Sequence, residues 1–214
     1  MSFHKIDILF VYKTLANYFS IMTALLVPTE HTLYQKRVNE YKKYFRHFLL
    51  TSRFNNHTWS ENTHFRQTHS QYGCIYCAPD PVSASIPVDA IMFILEMNND
   101  MNKIMGIGMV RNHPFINKWT VYDNQNYNRY MFSGKTRIDR SEMSAEEERI
   151  FTVFDILCFT GNKHMKRGQG LKAFPADMLY RCMSRLDLLE FIVDMFKRRL
   201  REKKHGPGLP DVSA

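Results

Sequence analysis

Val88-Asp-Ala-Ile-Met-Phe-Ile-Leu-Glu-Met-Asn-Asn-Asp-Met-Asn-Lys-Ile-Met-Gly-Ile-Gly-Met-Val-Arg111 is the stretch whose reading decides the fold. Pro87 opens a β-prone run that ends at Met97, the polar segment Asn98 to Asn102 interrupts it, and Lys103 to Arg111 forms a second run. Two such runs around a short polar turn predict an antiparallel hairpin. Gly106 and Gly108 stand two apart, so they share one face of the second strand and leave it bare. A bare face suits close approach by another backbone, an aromatic ring or a ligand.

Outward from the hairpin, Cys74 to Ala78 reads as a short strand ended by Pro79 and Pro81. Lys118 to Tyr122 and Tyr127 to Phe132 read as two more strands joined by Asp123-Asn-Gln-Asn126. Helical patterns flank these. The spacing of Tyr34, Val38, Tyr41, Phe45 and Phe48 predicts a helix from His31 to about Leu50, separated by Pro28 from an earlier apolar segment, Ile6 to Val27. Ser60 caps a short helix through Arg66. Ser144-Ala-Glu-Glu147 is a capping box for a helix to about Thr160 with Gly161 as its C′ residue. Pro175 opens the last helix, whose stripe runs Met178, Cys182, Leu186, Leu189, Ile192, Phe196. The sum is an α+β protein: a small twisted antiparallel sheet or partly closed β-barrel flanked by helices. Residues 1–50 form a helical extension, 51–203 the α+β domain with its C-terminal helix, and 204–214 a disordered tail.

The 214 residues, 44% apolar and 23% charged, suffice for one substantial core. Basic residues outnumber acidic ones 29 to 21, a net charge of +8. The excess is concentrated in three clusters, Lys36 to Arg53, Lys163 to Lys172 and Lys197 to Lys204, which suit an anionic partner if folding gathers them and are ordinary solvated faces if it does not. Four cysteines are too few and too unevenly spaced for a disulfide framework and fit a reducing compartment. Asp7, Lys13 and Asn17 interrupt Ile6 to Val27, so it reads as a helix and not as a transmembrane span. Met22 lies within it, and the residues before Met22 read equally as an extension or an upstream start.

Gly161-Asn-Lys-His-Met-Lys-Arg-Gly-Gln-Gly170 carries the strongest functional signal. Glycines allow φ > 0 and present N–H groups, Lys163, Lys166 and Arg167 add fixed charge, and His164 and Gln169 add hydrogen bonds, so phosphate is the ligand class. The polar loop Asn55, Asn56, Thr58, Trp59, with Arg66 and Tyr76, offers rings to stack on a base and donors for its edges. The alternative makes Trp59 a core residue capped by local hydrogen bonds. His64, His69, Cys74 and Cys77 have ligand types for zinc, the one cofactor the chain suggests, against a strand with two buried thiols.

Several motifs fail. Gly134-Lys-Thr136 ends like a phosphate loop, but Arg129 stands where its first glycine belongs. Gly106-Ile-Gly108 lacks a third glycine and a following helix. Asp89 and Glu96 are spaced like a nuclease pair, but Asn98 stands where the lysine belongs. No catalytic residue can be named from spacing. The reading is a nucleic-acid-binding module. Its alternatives are a structural or assembly protein that docks other proteins with adaptable methionine and tyrosine surfaces, and a nuclease or base-modifying enzyme needing clustered carboxylates or a metal.

The runs Arg53 to Arg66, Gly73-Cys-Ile-Tyr76, Ile94-Leu-Glu-Met-Asn-Asn99, Ile104 to Gly108 and Phe159 to Gly170 together resemble an uncharacterised protein family of large double-stranded DNA viruses, over residues from about 50 to 175. The glycine-bearing hairpin also resembles the PUA-like group, with its EVE and ASCH domains, small β-barrels that hold nucleobases or nucleic acid. These likenesses imply a pocket between the Trp59 loop and the barrel strands with basic loops at its mouth. The viral one implies an intracellular location, in host cytoplasm, nucleus or virion.

Overall fold

A helix that stops early reorganises the first part of the fold. The structure, a computed structural model, describes residues 28–162 and 164–205. The expectations for Ile6 to Val27, for Lys163 and for residues 206–214 lie outside these. The chain divides into two units, residues 1–44 and 45–214. Helix α1 (Pro28–Lys43) belongs to the first. It ends well before Leu50, because His47-Phe-Leu-Leu-Thr-Ser-Arg-Phe54 is instead strand β1 (His47–Phe54). Phe45 and Phe48 continue a helical spacing, but a short apolar run buried on both sides reads the same in either conformation.

In the second unit, β1 runs parallel to β3 (Ile91–Asn98), with Leu50 opposite Ile94 and Arg53 opposite Met97. The hairpin of β3 with β4 (Lys103–Arg111) forms as predicted. With β7 (Thr136–Asp139) and β8 (Lys172–Ala173) these make a five-stranded sheet of order β7-β4-β3-β1-β8. A second sheet has the order β2-β6-β5, from β2 (Cys74–Ala78), β5 (Phe115–Ile116) and β6 (Tyr130–Gly134). Only Lys135 separates β6 from β7, so one stretch of chain serves both sheets. The protein is α+β with two mostly antiparallel open sheets. Its parallel pair was invisible while β1 read as a helix.

Other elements correct or bear out the local signals. Helix α2 (Asn56–Thr68) is capped by Asn55, whose side chain accepts from Thr58 N at 2.8 Å, so Ser60 lies inside the helix. Val121 and Tyr122 are not in a strand; their N–H groups donate to Asn128 Oδ1 at 3.0 and 3.1 Å, and β6 begins only after a 3-10 turn, Gln125–Asn128. Helix α3 (Ala145–Phe159) has the predicted capping box: Ser144 Oγ accepts from Glu147 N and Glu147 Oε2 from Ser144 N. Gly161 follows at φ +74°. The last predicted helix is two, α4 (Ala176–Cys182) and α5 (Leu188–His205). Asp187 interrupts the stripe by accepting from Leu189 N and Glu190 N, both at 3.0 Å. Lys204 and His205, assigned to the tail, are in α5.

Strand alternation sorts the core. Leu50, Phe54, Met92, Ile94 and Val110 join Phe65 of α2 and Ile75 and Phe132 of the second sheet in one apolar cluster. The opposite face of the large sheet takes α5, with the Phe93 and Phe196 rings 4.8 Å apart. Glu147 ties α5 to the start of α3, since Arg198 and Arg199 donate to it at 3.1 and 2.7 Å. Two cations of the C-terminal basic cluster are thereby committed to structure.

Candidate functional site

The basic loop sits at the carboxyl ends of the parallel strands β1 and β3. Arg53 alternates with Phe54 along β1, so it points away from the cluster that holds Phe54. There its Nε donates to the carbonyl of Met165. Asn99, just past β3, donates from its own N–H to Phe54 O at 2.8 Å and from Nδ2 to Lys166 O at 3.1 Å. Met165 is buried and its N–H donates to Cys158 O at 2.7 Å, which anchors the loop to the end of α3. Lys166 Nζ reaches Asn102 Oδ1 at 2.8 Å, while Arg167 and Gln169 are exposed. At Gly170, φ +63°, the chain presses on β2: a Cβ there would lie 3.0 Å from Ala78 Cβ. Leu171 then enters the apolar cluster. The loop therefore wraps the edge of β1 beyond its short pairing with β8 at Leu50 and Thr51.

Electrostatically this loop is one-sided. No aspartate or glutamate occurs between Ile156 and Ala176. Arg53 is half-buried, burial lowers its pKa, and among the described residues no carboxylate pairs with it. Its Nη1, together with Asn99 Oδ1 and His164 Nδ1, is buried with no hydrogen-bond partner.

The bare glycine face is filled by side chains. Tyr76 is fully buried and its hydroxyl donates to Glu96 Oε1 at 2.8 Å; a Cβ on Gly108 would stand 2.1 Å from that hydroxyl. A Cβ on Gly106 would stand 2.8 Å from Glu96 Oε2 and from Arg137 Nη2. A β-bulge between Leu95 and Met97 sets Glu96 opposite Met105 and Gly106. Arg137 clasps Glu96 through Nε at 2.9 Å and Nη2 at 2.7 Å, and Asp139 takes Nη1 at 2.8 Å. Burial lowers the Arg137 pKa, but the Glu96 carboxylate more than offsets this and holds it well above the ordinary value. Every polar group of this buried trio is satisfied, which makes it a structural network.

The remaining sequence candidates separate. Trp59 is half-buried, edge-on to Phe54 at 5.3 Å, with the guanidiniums of Arg66 and Arg137 5.6 and 5.7 Å from its ring. It packs on the Phe54 face, whereas Arg53, which holds the loop at Met165, lies on the other face of β1. Tyr76 has no exposed surface and cannot stack on a base. Asn55 and Thr58 are spent on the cap, Asn56 accepts from Asn98 Nδ2 at 3.0 Å, and Arg66 donates to Asn62 and Thr63. Cys74 and Cys77, three apart on a strand, point to opposite faces. Burial pushes the Cys74 thiol up to about 12 and raises that of Cys77 further. His69 stacks on Phe65. A zinc site joining His64, His69, Cys74 and Cys77 has no common centre. Among the described residues, His57, Glu61 and Asp123 are the group whose ligand atoms lie within 4.8 Å of one another, at the surface.

Sequence reasoning missed Arg53 and Asn99 as site residues and Glu96 and Arg137 as partners. Charge inside apolar strands was the available signal: Arg53 in Leu-Leu-Thr-Ser-Arg-Phe54 and Glu96 in Ile-Leu-Glu-Met97. Among the described residues no helix is long and apolar enough to cross a membrane. Comparison of the chain with family models, curated proteins and solved structures finds no match, and neither the viral nor the PUA-like resemblance gains support from it.

Proposed function

We propose that this protein binds nucleic acid through its phosphates, using the loop that wraps the carboxyl ends of β1 and β3. The observation that carries the reading is Arg53, a half-buried guanidinium that no carboxylate of the described residues pairs with, bonded to a loop without acids. A buried cation left unpaired is costly, and an anion relieves it. Lys166 and Arg167 extend the positive surface outward, and Gly168 at φ +111° leaves room for close approach. Carboxyl ends of parallel strands are a recurrent place for phosphate-bearing ligands in other folds. Base stacking is no part of this reading, because Tyr76 is fully buried and Trp59 packs edge-on against Phe54. Binding is therefore sequence-indifferent and salt-sensitive.

Fluorescence anisotropy with single- and double-stranded DNA and RNA at several salt concentrations tests this. The double variant K166A/R167A is expected to weaken all sequences alike and to flatten the plot of log affinity against log salt by roughly 0.9 for each duplex phosphate that is no longer neutralised. Absence of binding at low salt, or a slope that the variant leaves untouched, would refute it.

A further inference from the structure

Three buried side-chain atoms lack a partner among the described residues, and all three attach to one stretch, 164–166: Arg53 Nη1, Asn99 Oδ1 and His164 Nδ1. Arg53 and Asn99 each hold a loop carbonyl with one nitrogen, of Met165 and Lys166, and leave Nη1 and Oδ1 buried and unpaired among the described residues. Buried polar atoms are nearly always paired, so three on this one loop and the two side chains that hold it mark a position prepared for a guest.

The chemistry of the three narrows the guest. Arg53 Nη1 can only donate. Asn99 Oδ1 can only accept, because its amide nitrogen is committed to Lys166 O. His164 Nδ1 does either, according to its tautomer. A phosphodiester inside a strand offers acceptors alone, which suits Arg53 and sets an anionic oxygen against Asn99 Oδ1. A phosphate monoester loses its second proton near pH ~6. Its monoanion, the form that prevails below that pH, offers acceptors to Arg53 and His164 and one P–OH to Asn99. It also carries one ester substituent in place of two, so it can enter a recess that a continuous strand must pass over.

On the foundation of the phosphate-binding reading, we infer that Arg53, Asn99 and His164 form a receptor for the terminal phosphate of a nucleic-acid strand, with Lys166 and Arg167 holding the phosphates that follow. Entry requires the stretch from Arg167 to Gln169 to swing outward while the Lys166 carbonyl stays on Asn99. Gly168 and Gly170, at φ +111° and +63°, already use backbone conformations open to glycine, and even a Cβ on Gly168 would come no nearer to Arg53 than 3.8 Å.

The test compares one oligonucleotide carrying a 5′-phosphate, a 3′-phosphate or no terminal phosphate, with inorganic phosphate and a nucleoside monophosphate as competitors. One phosphorylated form is expected to bind about tenfold tighter than the unphosphorylated strand, the gain of at least one charge-assisted hydrogen bond. Arg53→Lys and Asn99→Ala, each checked for cooperative unfolding, are expected to bring that ratio close to one. Salt-sensitive binding with equal affinity for all three strands overturns the inference and leaves the phosphate-binding reading standing. No binding of any strand overturns both. Inorganic phosphate competing as strongly as the phosphorylated strand reassigns the recess to a free anion and also overturns it.

Discussion

Replacing Gly108 with alanine puts a methyl where the Tyr76 hydroxyl stands. That Cβ would lie 2.1 Å from Tyr76 Oη and 2.7 Å from Cys74 Sγ, far inside van der Waals contact. Overpacking of this kind costs about 1–3 kcal/mol. The displaced hydroxyl also loses its bond to the Glu96 carboxylate, a charged acceptor, which is worth about 1.5–3 kcal/mol. Together these give about 2.5–6 kcal/mol for Gly108→Ala, and a Tm lower by about 5–24 °C for a chain of this size. Tyr76→Phe alone forfeits only the hydrogen bond, about 1.5–3 kcal/mol, because Arg137 still clasps Glu96. The double variant has no hydroxyl to displace, so it should cost less than the sum of the singles by about 1.5–3 kcal/mol. Urea unfolding followed by tryptophan fluorescence, with m-values compared across the set, measures all three differences. Single effects that add to within ~0.5 kcal/mol would refute the account, because the methyl and the hydroxyl would then not compete for the same space.

Removing one partner of the buried Glu96–Arg137 pair, as in Glu96→Gln or Arg137→Met, should cost about 3–5 kcal/mol, whereas the apolar pair Glu96→Leu with Arg137→Met should cost less than either; a double variant worse than both singles would contradict this. Burial raises the Glu147 pKa, but the Ser144 N–H and the Arg199 and Arg198 guanidiniums outweigh it and leave the carboxyl below 4.5. A folded pKa below the unfolded one adds stability that is full above the unfolded value and is lost as pH falls through the folded one. Glu147→Gln should therefore be less stable at neutral pH and show a flatter decline in urea midpoint below about pH 4.5, and profiles parallel to the unaltered protein would count against the pairing. All four thiols are buried, and burial with the nearby Glu96 charge pushes Cys74 up to about 12, so none should react with a disulfide reagent until urea unfolds the chain. A rapid native burst from even one cysteine would show that the core is more open than described.

Local chemistry alone determined much of this protein. The hairpin of β3 and β4, the strand at Cys74, the capping box at Ser144 and the glycine stop at Gly161 each depend on a few neighbouring residues, and each forms where the sequence places it. The bare face of Gly106 and Gly108 was legible too, since alternation requires only a strand. What fills that face was not. Tyr76, Glu96 and Arg137 come from three strands far apart in sequence, and only the path of β6 and β7 between two sheets brings them together. The basic loop announced its charge, but its seat depended on β1 being a strand parallel to β3, and eight residues buried on both faces carry no period that separates strand from helix. Once that strand forms, strict alternation sends Phe54, on which Trp59 packs, to one side and Arg53 to the other. Tertiary structure thus set Phe54 and Arg53 apart and gave Arg53 a place without a carboxylate among the described residues, because a sheet has two faces and neighbouring residues cannot share one.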